Sequence, residues 1–447
     1  MSVKRLVGVR AVVILASICL VVAGDPIVQG FHNEIHHTTQ AALALASDWE
    51  IDDALWIAGA DLAVDMNKPT VAGLERNTLQ YSQHQAEKNY YFHCFSRSDD
   101  QAAARSDERN KDVLGQLDDL KRQAAQSIDR AKAQATDSRL RIEALVAVGV
   151  YFHCQQDSWS HSGYGGTRHG HMFDDAWPGS PDHPARRPVK TQKALRESLS
   201  ELHALAGRWR SDLPPHDANL NRLLAGLTNT ALLGAGTQEC VDMWPRYWLY
   251  QDLRQSGRLA KFTSVDRPTR GTCATLHQTN FGVPGASARI VTFPGQSRFP
   301  VLDIAGRPRF ENDEPILVAA GDFDYVNAEA SATYRQPTPS TCSYAMSVLV
   351  RNGGPNAAPT AKIAMALLAG QNDEMWYEEE ELGVLSPNQV ANVGMAATVN
   401  RACPNRVAFV SDIQPIKDVG DGIWGDRDAR NDQRVVLATP DRRAAAK

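Results

Sequence analysis

The stretch Leu140–Gly163, LRIEALVAVGVYFHCQQDSWSHSG, decides what kind of protein this chain can form. Its first half places apolar residues on the faces that a core helix packs. His153, Asp157 and His161 then follow at intervals of four, which stacks their side chains on one face of an α-helix. A single histidine on such a helix is usually a hydrogen-bonded core residue, but two imidazoles and a carboxylate in register suit zinc or a related ion. The stretch therefore predicts a buried metal site.

The N-terminus has the layout of a cleavable secretory signal. Lys4 and Arg5 precede the apolar run Ala11–Val22, and small residues follow the run. This predicts a signal peptide over residues 1–24 and an exported protein, periplasmic or extracellular. The run is too short for a comfortable membrane span and no second one of its length follows, so we expect no transmembrane segment after signal removal. The net charge of −5 gives no reason to expect nucleic-acid binding through a general basic field.

The cysteines fit an oxidising compartment. Without the cysteine of the signal an even set remains, which favours disulfides. Proximity in sequence suggests the pairs Cys240–Cys273 and Cys342–Cys403. The remaining cysteines, Cys94 and Cys154, would then form the third pair. In the last pair each cysteine directly follows a histidine, His93 or His153. If these histidines share one ion, their helix segments meet side by side, and the cysteines come within disulfide range.

Two periodicities divide the chain. Over residues 25–260 apolar residues recur at helical spacing, which predicts an all-α domain. Within it Asp48 is the expected N-cap of the helix Asp52–Met66, and Ser106–Ala135 is expected to be a long solvated helix. Residues 261–313 show low periodicity and predict an irregular linker with a few strands.

After about Glu314 the period changes to two, as in Tyr344, Met346 and Val348, and turn residues separate such segments. Residues 314–447 are therefore predicted to form a separable, immunoglobulin-like β-sandwich. The acidic run Glu378–Glu381 is expected to be a solvated loop. Asp418–Asp432 has oxygen donors at intervals, so calcium is a further expected ligand there, although the full register of a calcium loop is missing.

Further ligand-type residues accompany the column formed by His153, Asp157 and His161. Tyr90–Phe95, YYFHCF, repeats the text of Val150–Gln155, VYFHCQ, so His93 stands in a setting like that of His153. Asp61 and Asp65 lie one turn apart in an alanine-rich segment, where a carboxylate favours a cation. The loop Ser162–Pro188 is long enough to suggest function. The ligand-type residues of this loop are His169, His171, Asp174, Asp175, Asp182 and His183. The histidines near the mature N-terminus are His32, His36 and His37.

These motifs resemble the zinc-dependent phospholipase C and single-strand nuclease superfamily, in particular its secreted bacterial branch. The resemblance rests on EIHHTTQAAL, IAGADLAVD, YFHC, the HxxxDxxxH column and GHMFDDAWPGSPDHP, in that order, and covers roughly the helical half. It implies an all-α phospholipase-C-like domain that binds two or three zinc ions. The implied metal ligands are His36, Asp65, His93, His153, Asp157, His161, His171 and Asp175. His32 or His37 are alternatives to His36, and Asp174 or Asp182 are alternatives to Asp175. The chain departs from the best-known members in lacking their N-terminal tryptophan and in the shorter second gap of the column.

The resemblance implies a secreted zinc-dependent phosphodiesterase, phospholipase C-like, with Asp65 as the catalytic base or water-orienting group and a phospholipid as the favoured substrate. The same site in a single-strand nuclease is the alternative, and it would need aromatic platforms for base stacking. Tyr151, Trp159, Tyr164 and Trp177 are the residues considered for that role. A third hypothesis is a non-catalytic, metal-stabilised protein whose sandwich binds a surface. The sequence gives no oligomeric state.

Overall fold

A computed structural model describes residues 34–67, 70, 87–97, 108–164, 188–210, 218–228, 249, 252–253, 255, 299–317, 325–353, 357, 360–370, 373–415 and 433–441. Several predicted features lie outside these ranges, so the structure does not bear on them. They are the signal segment 1–24, the pair Cys240–Cys273, the expected calcium run Asp418–Asp432, and His32, His169, His171, Asp174, Asp175, Trp177, Asp182 and His183.

The N-terminal part is helical, as predicted. A π-helical segment, Glu34–Thr39, leads into α1 (Gln40–Ala46), α2 (Ile51–Met66), a helical segment at 87–93, α3 (Val113–Ala133), α4 (Ser138–Ser160), α5 (Pro188–Trp209) and α6 (Ala218–Thr228). These helices share one apolar core, to which Ile57 of α2, Leu145 of α4 and Leu199 of α5 contribute. The phospholipase-C-like arrangement of the helices remains a prediction.

The central helix α4 begins and ends as its sequence indicates. The Asp137 carboxylate accepts hydrogen bonds from the backbone N–H groups of Arg139 and Leu140, at 2.9 and 3.2 Å, and so caps the N-terminus. At the other end His161 is the C-cap, and Gly163 follows with φ of 92°, a conformation that glycine adopts readily. The column of ligand-type residues therefore lies on the last turns of a well-defined helix.

Two local predictions about the helices were wrong. Asp48 is not an N-cap, because it takes a left-handed conformation (φ of 72°) in the turn after α1, and the extended residue Glu50 precedes α2 instead. The helix expected over Ser106–Ala135 begins at Val113, and it is not solvated all round. One of its faces buries Leu117, Ala124 and Ile128 in the shared core.

The segment 299–317 packs on the helices. It contains the short antiparallel strands β1 (Phe310–Glu311) and β2 (Glu314–Pro315). The Asn67 side chain at the end of α2 donates to the carbonyl of Pro300 at 3.2 Å and accepts from the N–H of Leu302 at 3.0 Å. Gly306, with φ of 70°, lies so close to Phe92 that an added Cβ would approach its ring to 2.9 Å.

The C-terminal part consists of two four-stranded sheets. The remaining strands are β3 (Tyr325–Thr338), β4 (Thr341–Asn352), β5 (Ala361–Gly370), β6 (Asp373–Leu382), β7 (Val390–Val399), β8 (Ala408–Pro415), β9 (Gln433–Leu437) and β10 (Thr439–Pro440). Their orders are β10-β3-β4-β7 and β6-β5-β8-β9. Val348 of the first sheet and Ile363 and Phe409 of the second belong to one buried cluster, so the sheets enclose a common core. Likeness to an immunoglobulin domain remains a prediction.

The period-two prediction holds along β4, where Tyr344, Met346 and Val348 are buried and alternate with more exposed residues. The expected loop Glu378–Glu381 is wrong, since these residues form part of β6 and pair with β5. Because β6 is the edge of its sheet, charged side chains there are tolerated and discourage pairing with other chains.

Two predicted disulfides are confirmed, Cys94–Cys154 and Cys342–Cys403, with Cα–Cα distances of 5.2 and 4.9 Å. Within the described residues no helix is both long and apolar enough to cross a membrane.

Candidate metal centre

The centre lies beside a close contact between α2 and α4 at Gly149. Gly149 makes this approach possible, because a Cβ at that position would meet the Ile57 carbonyl, come within 2.6 Å of the Ala60 Cβ, and lie 2.9 Å from the Asp61 nitrogen. One turn further along α4, His153 faces the polar edge of α2. The helices are thus in close contact one turn before their ligand-type residues.

Four elements bring their side chains to this place. Helix α4 contributes His153 and Asp157, α2 contributes Asp61 and Asp65, the π-helical segment contributes His36, and the segment 87–93 ends in His93. Five of these side chains are fully buried and Asp65 is 5% exposed. The disulfide Cys94–Cys154 joins the residues that directly follow His93 and His153. It holds the two histidine-bearing segments together, as the sequence predicted.

One group of ligand atoms has the dimensions of a zinc site. Nδ1 of His93 lies 3.1 Å from Nε2 of His153 and 3.7 Å from Oδ1 of Asp65, and the third side of the triangle measures 3.5 Å. Oδ2 of Asp157 lies 3.2 Å from each of the two ring nitrogens. With bonds of about 2.0–2.2 Å, the ligands of a tetrahedral zinc ion lie about 3.3–3.6 Å apart. Asp65, His93 and His153 therefore present ligand atoms that could hold a zinc ion, and Asp157 adjoins them.

A second group shares residues with the first. Oδ1 of Asp157 lies 3.1 Å from Nε2 of His36, whose ring stacks on that of His153 with a centroid distance of 4.2 Å. His36, His153 and Asp157 together present ligand atoms close enough to hold an ion. The two oxygens of Asp157 thus face different sets of histidines, an arrangement suited to bridging two ions.

His161 lies at the margin of these groups. Its Nδ1 is 3.8 Å from Oδ2 of Asp157 and donates to the carbonyl of His93 at 2.7 Å, while its ring stacks on Phe95. Since Nδ1 is engaged in this way, Nε2 would be its coordinating atom. The partners that the resemblance implies for it, His171 and Asp175, are outside the described residues.

Of the histidines at the mature N-terminus, the structure brings His36 into the centre. The neighbouring His37 is partly buried and packs its ring against Phe299, 5.4 Å away. Asp61 is the residue of the centre that the implied ligand set omits. Its signal in the sequence was the spacing of one turn from Asp65.

Burial and neighbouring charges shift the pKa values of the groups in the centre. Burial raises the pKa of Asp65, and neither of its oxygens has a hydrogen-bond partner within the described structure. Burial disfavours protonation of His153, but Asp65 and Asp157 outweigh this and hold its pKa well above the usual value. Burial and His153 lower the pKa of His36, yet Asp61 and Asp157 raise it to about 9. Burial likewise opposes ionisation of Asp157, but the surrounding histidines hold its pKa well below the ordinary value. Without a metal, protons on histidines balance these carboxylates, and a divalent cation would do the same more completely.

Comparison with known proteins adds no functional assignment. No protein-family model and no curated protein sequence matches the chain. Among solved structures, a glycosyl hydrolase family 2 member from Bacteroides cellulosilyticus is 11% identical with a TM-score of 0.20, and the match covers 26% of this chain and 15% of that one. A CARDB domain from Pyrococcus furiosus is 11% identical with a TM-score of 0.17, over 25% of this chain and 93% of that one. The chain thus spans only a small part of the glycosyl hydrolase, and similarities of this size carry no argument about function.

Proposed function

We propose that the helical part is an exported zinc-dependent phosphodiesterase of the phospholipase C type. The observation that carries the proposal is that the two oxygens of Asp157 face different histidines. Oδ1 lies 3.1 Å from Nε2 of His36, and Oδ2 lies 3.2 Å from Nδ1 of His93. Bridging carboxylates are the means by which proteins hold two metal ions a few ångströms apart, and such pairs act on phosphate esters. The nitrogen and oxygen donors favour zinc among the common divalent ions.

The chemistry follows from the charges. When bound, divalent ions would lower the pKa of a coordinated water and stabilise negative charge on a phosphoryl oxygen. Asp65 is the proposed base or water-orienting group, because its carboxylate is buried beside His93 and His153 and has no hydrogen-bond partner in the described structure. Asp157 keeps its charge next to three histidines and so holds the metal-binding nitrogens in place.

The described aromatic candidates do not support single-stranded nucleic acid as the substrate. A nuclease needs exposed rings on which bases stack. Tyr151 and Tyr164 are each only 3% exposed and belong to the packed interior. The ring of Trp159 lies under the Arg109 guanidinium at 4.4 Å and donates its indole N–H to Glu197 at 2.9 Å. The described aromatic candidates are therefore engaged in packing. The disulfides are compatible with export.

Metal analysis combined with a substrate panel tests the proposal. The panel contains phosphatidylcholine vesicles, bis(p-nitrophenyl) phosphate and a single-stranded oligonucleotide, each with and without chelator and with zinc added back. We expect stoichiometric zinc and vesicle hydrolysis that chelation abolishes and zinc restores. His153→Ala should lose both zinc and activity. His203→Ala, a change at a buried histidine of α5 outside the centre, is the matched control and should keep both.

Three outcomes would redirect the proposal. Hydrolysis of the oligonucleotide in preference to vesicles would favour the nuclease. Zinc without hydrolysis of any substrate would favour the metal-stabilised binding protein. A chain that holds no metal would refute the centre itself.

A further inference from the structure

The carboxylate of Asp61 lies between two histidines of the metal centre. Its Oδ1 is 2.9 Å from Nδ1 of His36 and 3.2 Å from Nδ1 of His153. All three residues are fully buried, so water does not compete for these contacts. A carboxylate oxygen accepts hydrogen bonds, so we assign the proton on each of the two ring nitrogens that contact it. One oxygen atom therefore fixes the proton position on two imidazoles.

We propose that Asp61 is the positioning residue that makes His36 and His153 both present Nε2 to the metal ions. The inference rests on the proposed metal centre. With Nδ1 of each ring committed to Asp61, the Nε2 atoms face the other ligands. That of His36 lies 3.1 Å from Oδ1 of Asp157, and that of His153 lies 3.1 Å from Nδ1 of His93. A carboxylate behind a metal-binding histidine sets its tautomer and orientation and raises its basicity.

His93 is arranged in the opposite sense. Its Nε2 is 2.9 Å from the carbonyl oxygen of Thr70, which accepts a hydrogen bond and cannot donate one. The proton of neutral His93 is therefore on Nε2, and Nδ1 is the coordinating atom. The structure thus assigns two tautomers within one centre: Nδ1–H for the two histidines that contact Asp61, and Nε2–H for the one that does not.

Asp61 itself is set apart from the ligands. The atoms close enough to share an ion come from His36, His153 and Asp157 in one group and from Asp65, His93 and His153 in the other, and Asp61 belongs to neither. Its Oδ1 is occupied by two N–H groups, and its Oδ2 is buried without a hydrogen-bond partner in the described residues. The alternative role, direct coordination through Oδ2, differs in a measurable way, because loss of a ligand removes an ion whereas loss of a positioning residue weakens its binding.

Nitrogen NMR of the zinc-loaded full chain tests the assignment without any substitution. Imidazole ¹⁵N shifts and couplings report which nitrogen carries the proton and which one binds metal. We expect Nδ1–H with coordinated Nε2 for His36 and His153, and the reverse for His93. Coordination through Nδ1 at either of the first two would overturn the proposal.

Substitution of Asp61 separates positioning from coordination. Asp61→Asn and Asp61→Ala should keep the number of zinc ions but weaken their binding by about 10- to 100-fold in competition with a chromophoric chelator. The matched control is Asp53→Asn, which alters another buried carboxylate of α2, one that pairs with Arg141 outside the centre. It should leave zinc affinity unchanged. Unchanged affinity in both Asp61 variants, or loss of one ion with the remaining affinity intact, would contradict the role.

The same experiments distinguish this inference from the proposed function. Wild-type protein that binds zinc and hydrolyses no phosphodiester would overturn the activity, while the tautomers and affinities would still decide the role of Asp61. Wild-type protein that binds no zinc would overturn both. If neither Asp61 variant folds, the tautomers of the wild-type protein decide the question.

Discussion

The two disulfides span nearly equal lengths of chain, 60 and 61 residues, in very different surroundings. Both bridges contribute to apolar clusters, but Cys94 and Cys154 also directly follow His93 and His153 of the candidate centre, whereas Cys342 lies in the apolar core of the sheets. Equal spans imply a similar restriction of the unfolded chain, about 2–4 kcal/mol each. The sheets enclose an apolar core. The helical part also buries the carboxylates and histidines of the candidate centre, so we expect a bound cation to contribute to its stability.

Removal of metal should produce the largest difference in thermal stability between the helical part and the sheets. An ion present at about 1,000 times its dissociation constant stabilises the folded state by about 4 kcal/mol. For a domain of this size that corresponds to roughly 8–16 °C in melting temperature. We expect a chelator to lower the helical transition of the full chain by about this amount and to leave the sheet transition in place, with recovery after zinc addition. Calorimetry with and without chelator measures both transitions, and identical traces would remove the basis of the comparison.

Within the helical part, Asp157 should matter more than Asp65. Asp157 belongs to one group of ligand atoms, and its Oδ2 also lies 3.2 Å from the His93 and His153 nitrogens of the other, so Asp157→Asn affects both. Asp65→Asn alters one group and leaves His36, His153 and Asp157 intact. We expect the first variant to retain less than one zinc per chain and to lose about 3–5 kcal/mol of stability from unbalanced buried charge. The second should retain a bound ion.

Elemental analysis of the purified variants tests this ranking. Asp373→Asn is the control in the sheets, since that carboxylate pairs with Arg401, and it should not change metal content. Equal zinc loss from the two variants of the centre would show that Asp157 does not bridge.

Loss of either disulfide should cost similar stability but have different effects on metal. Replacing Cys94 and Cys154 by alanine, or Cys342 and Cys403, should lower the free energy of unfolding of the affected part by about 2–4 kcal/mol. Only the first pair adjoins histidines of the candidate centre, so only its loss should weaken zinc binding. Denaturant titration and chelator competition on both double variants provide the measurements. Weakened zinc binding after loss of the sheet disulfide would show that the two regions are coupled.

The smallest expected effect concerns the contact between α2 and α4. Gly149→Ala places a methyl group where the Ala60 Cβ would be 2.6 Å away, so the helices must shift. We expect a loss of about 1–3 kcal/mol from overpacking, together with weaker zinc binding. Gly115→Ala on α3 meets nothing within 4 Å and serves as the control. It should be neutral or stabilise by up to about 1 kcal/mol, because alanine favours helix. Zinc affinity unaffected by Gly149→Ala would mean that the spacing of the helices does not set the site.

The sequence predicted those parts of the centre that depend on local spacing. The column on α4 follows from helical periodicity, and His93 was found because its surroundings repeat those of His153. The contacts of Asp61 with His36 and His153 were not predictable from local spacing. They arise from the contact that Gly149 permits between two helices far apart in the chain, and helical spacing within α2 does not reveal which carboxylate faces a histidine and which faces an ion.

The errors in the fold have a similar origin. Glu378–Glu381 looked like a loop because a central strand rarely carries successive charges, but β6 pairs with one neighbour and has a free edge that water solvates. Aspartate is a common N-cap residue, yet Asp48 takes a left-handed backbone conformation in the turn after α1. In both cases the position in the tertiary structure outweighed the preference of the residue.

The docking of segment 299–317 has a consequence for the order in which the chain can fold. Asn67 is fully buried, and its amide reaches partners that follow it by 233 and 235 residues. During synthesis, the helices emerge long before Pro300 and Leu302 do. Until those residues arrive, the Asn67 amide keeps its hydrogen bond to the Ala63 carbonyl at 2.7 Å but lacks its two partners in segment 299–317. We therefore expect the helical part to reach its final stability only after segment 299–317 has been made. A shortened chain that stops before Pro300 should lack these two hydrogen bonds and be less stable.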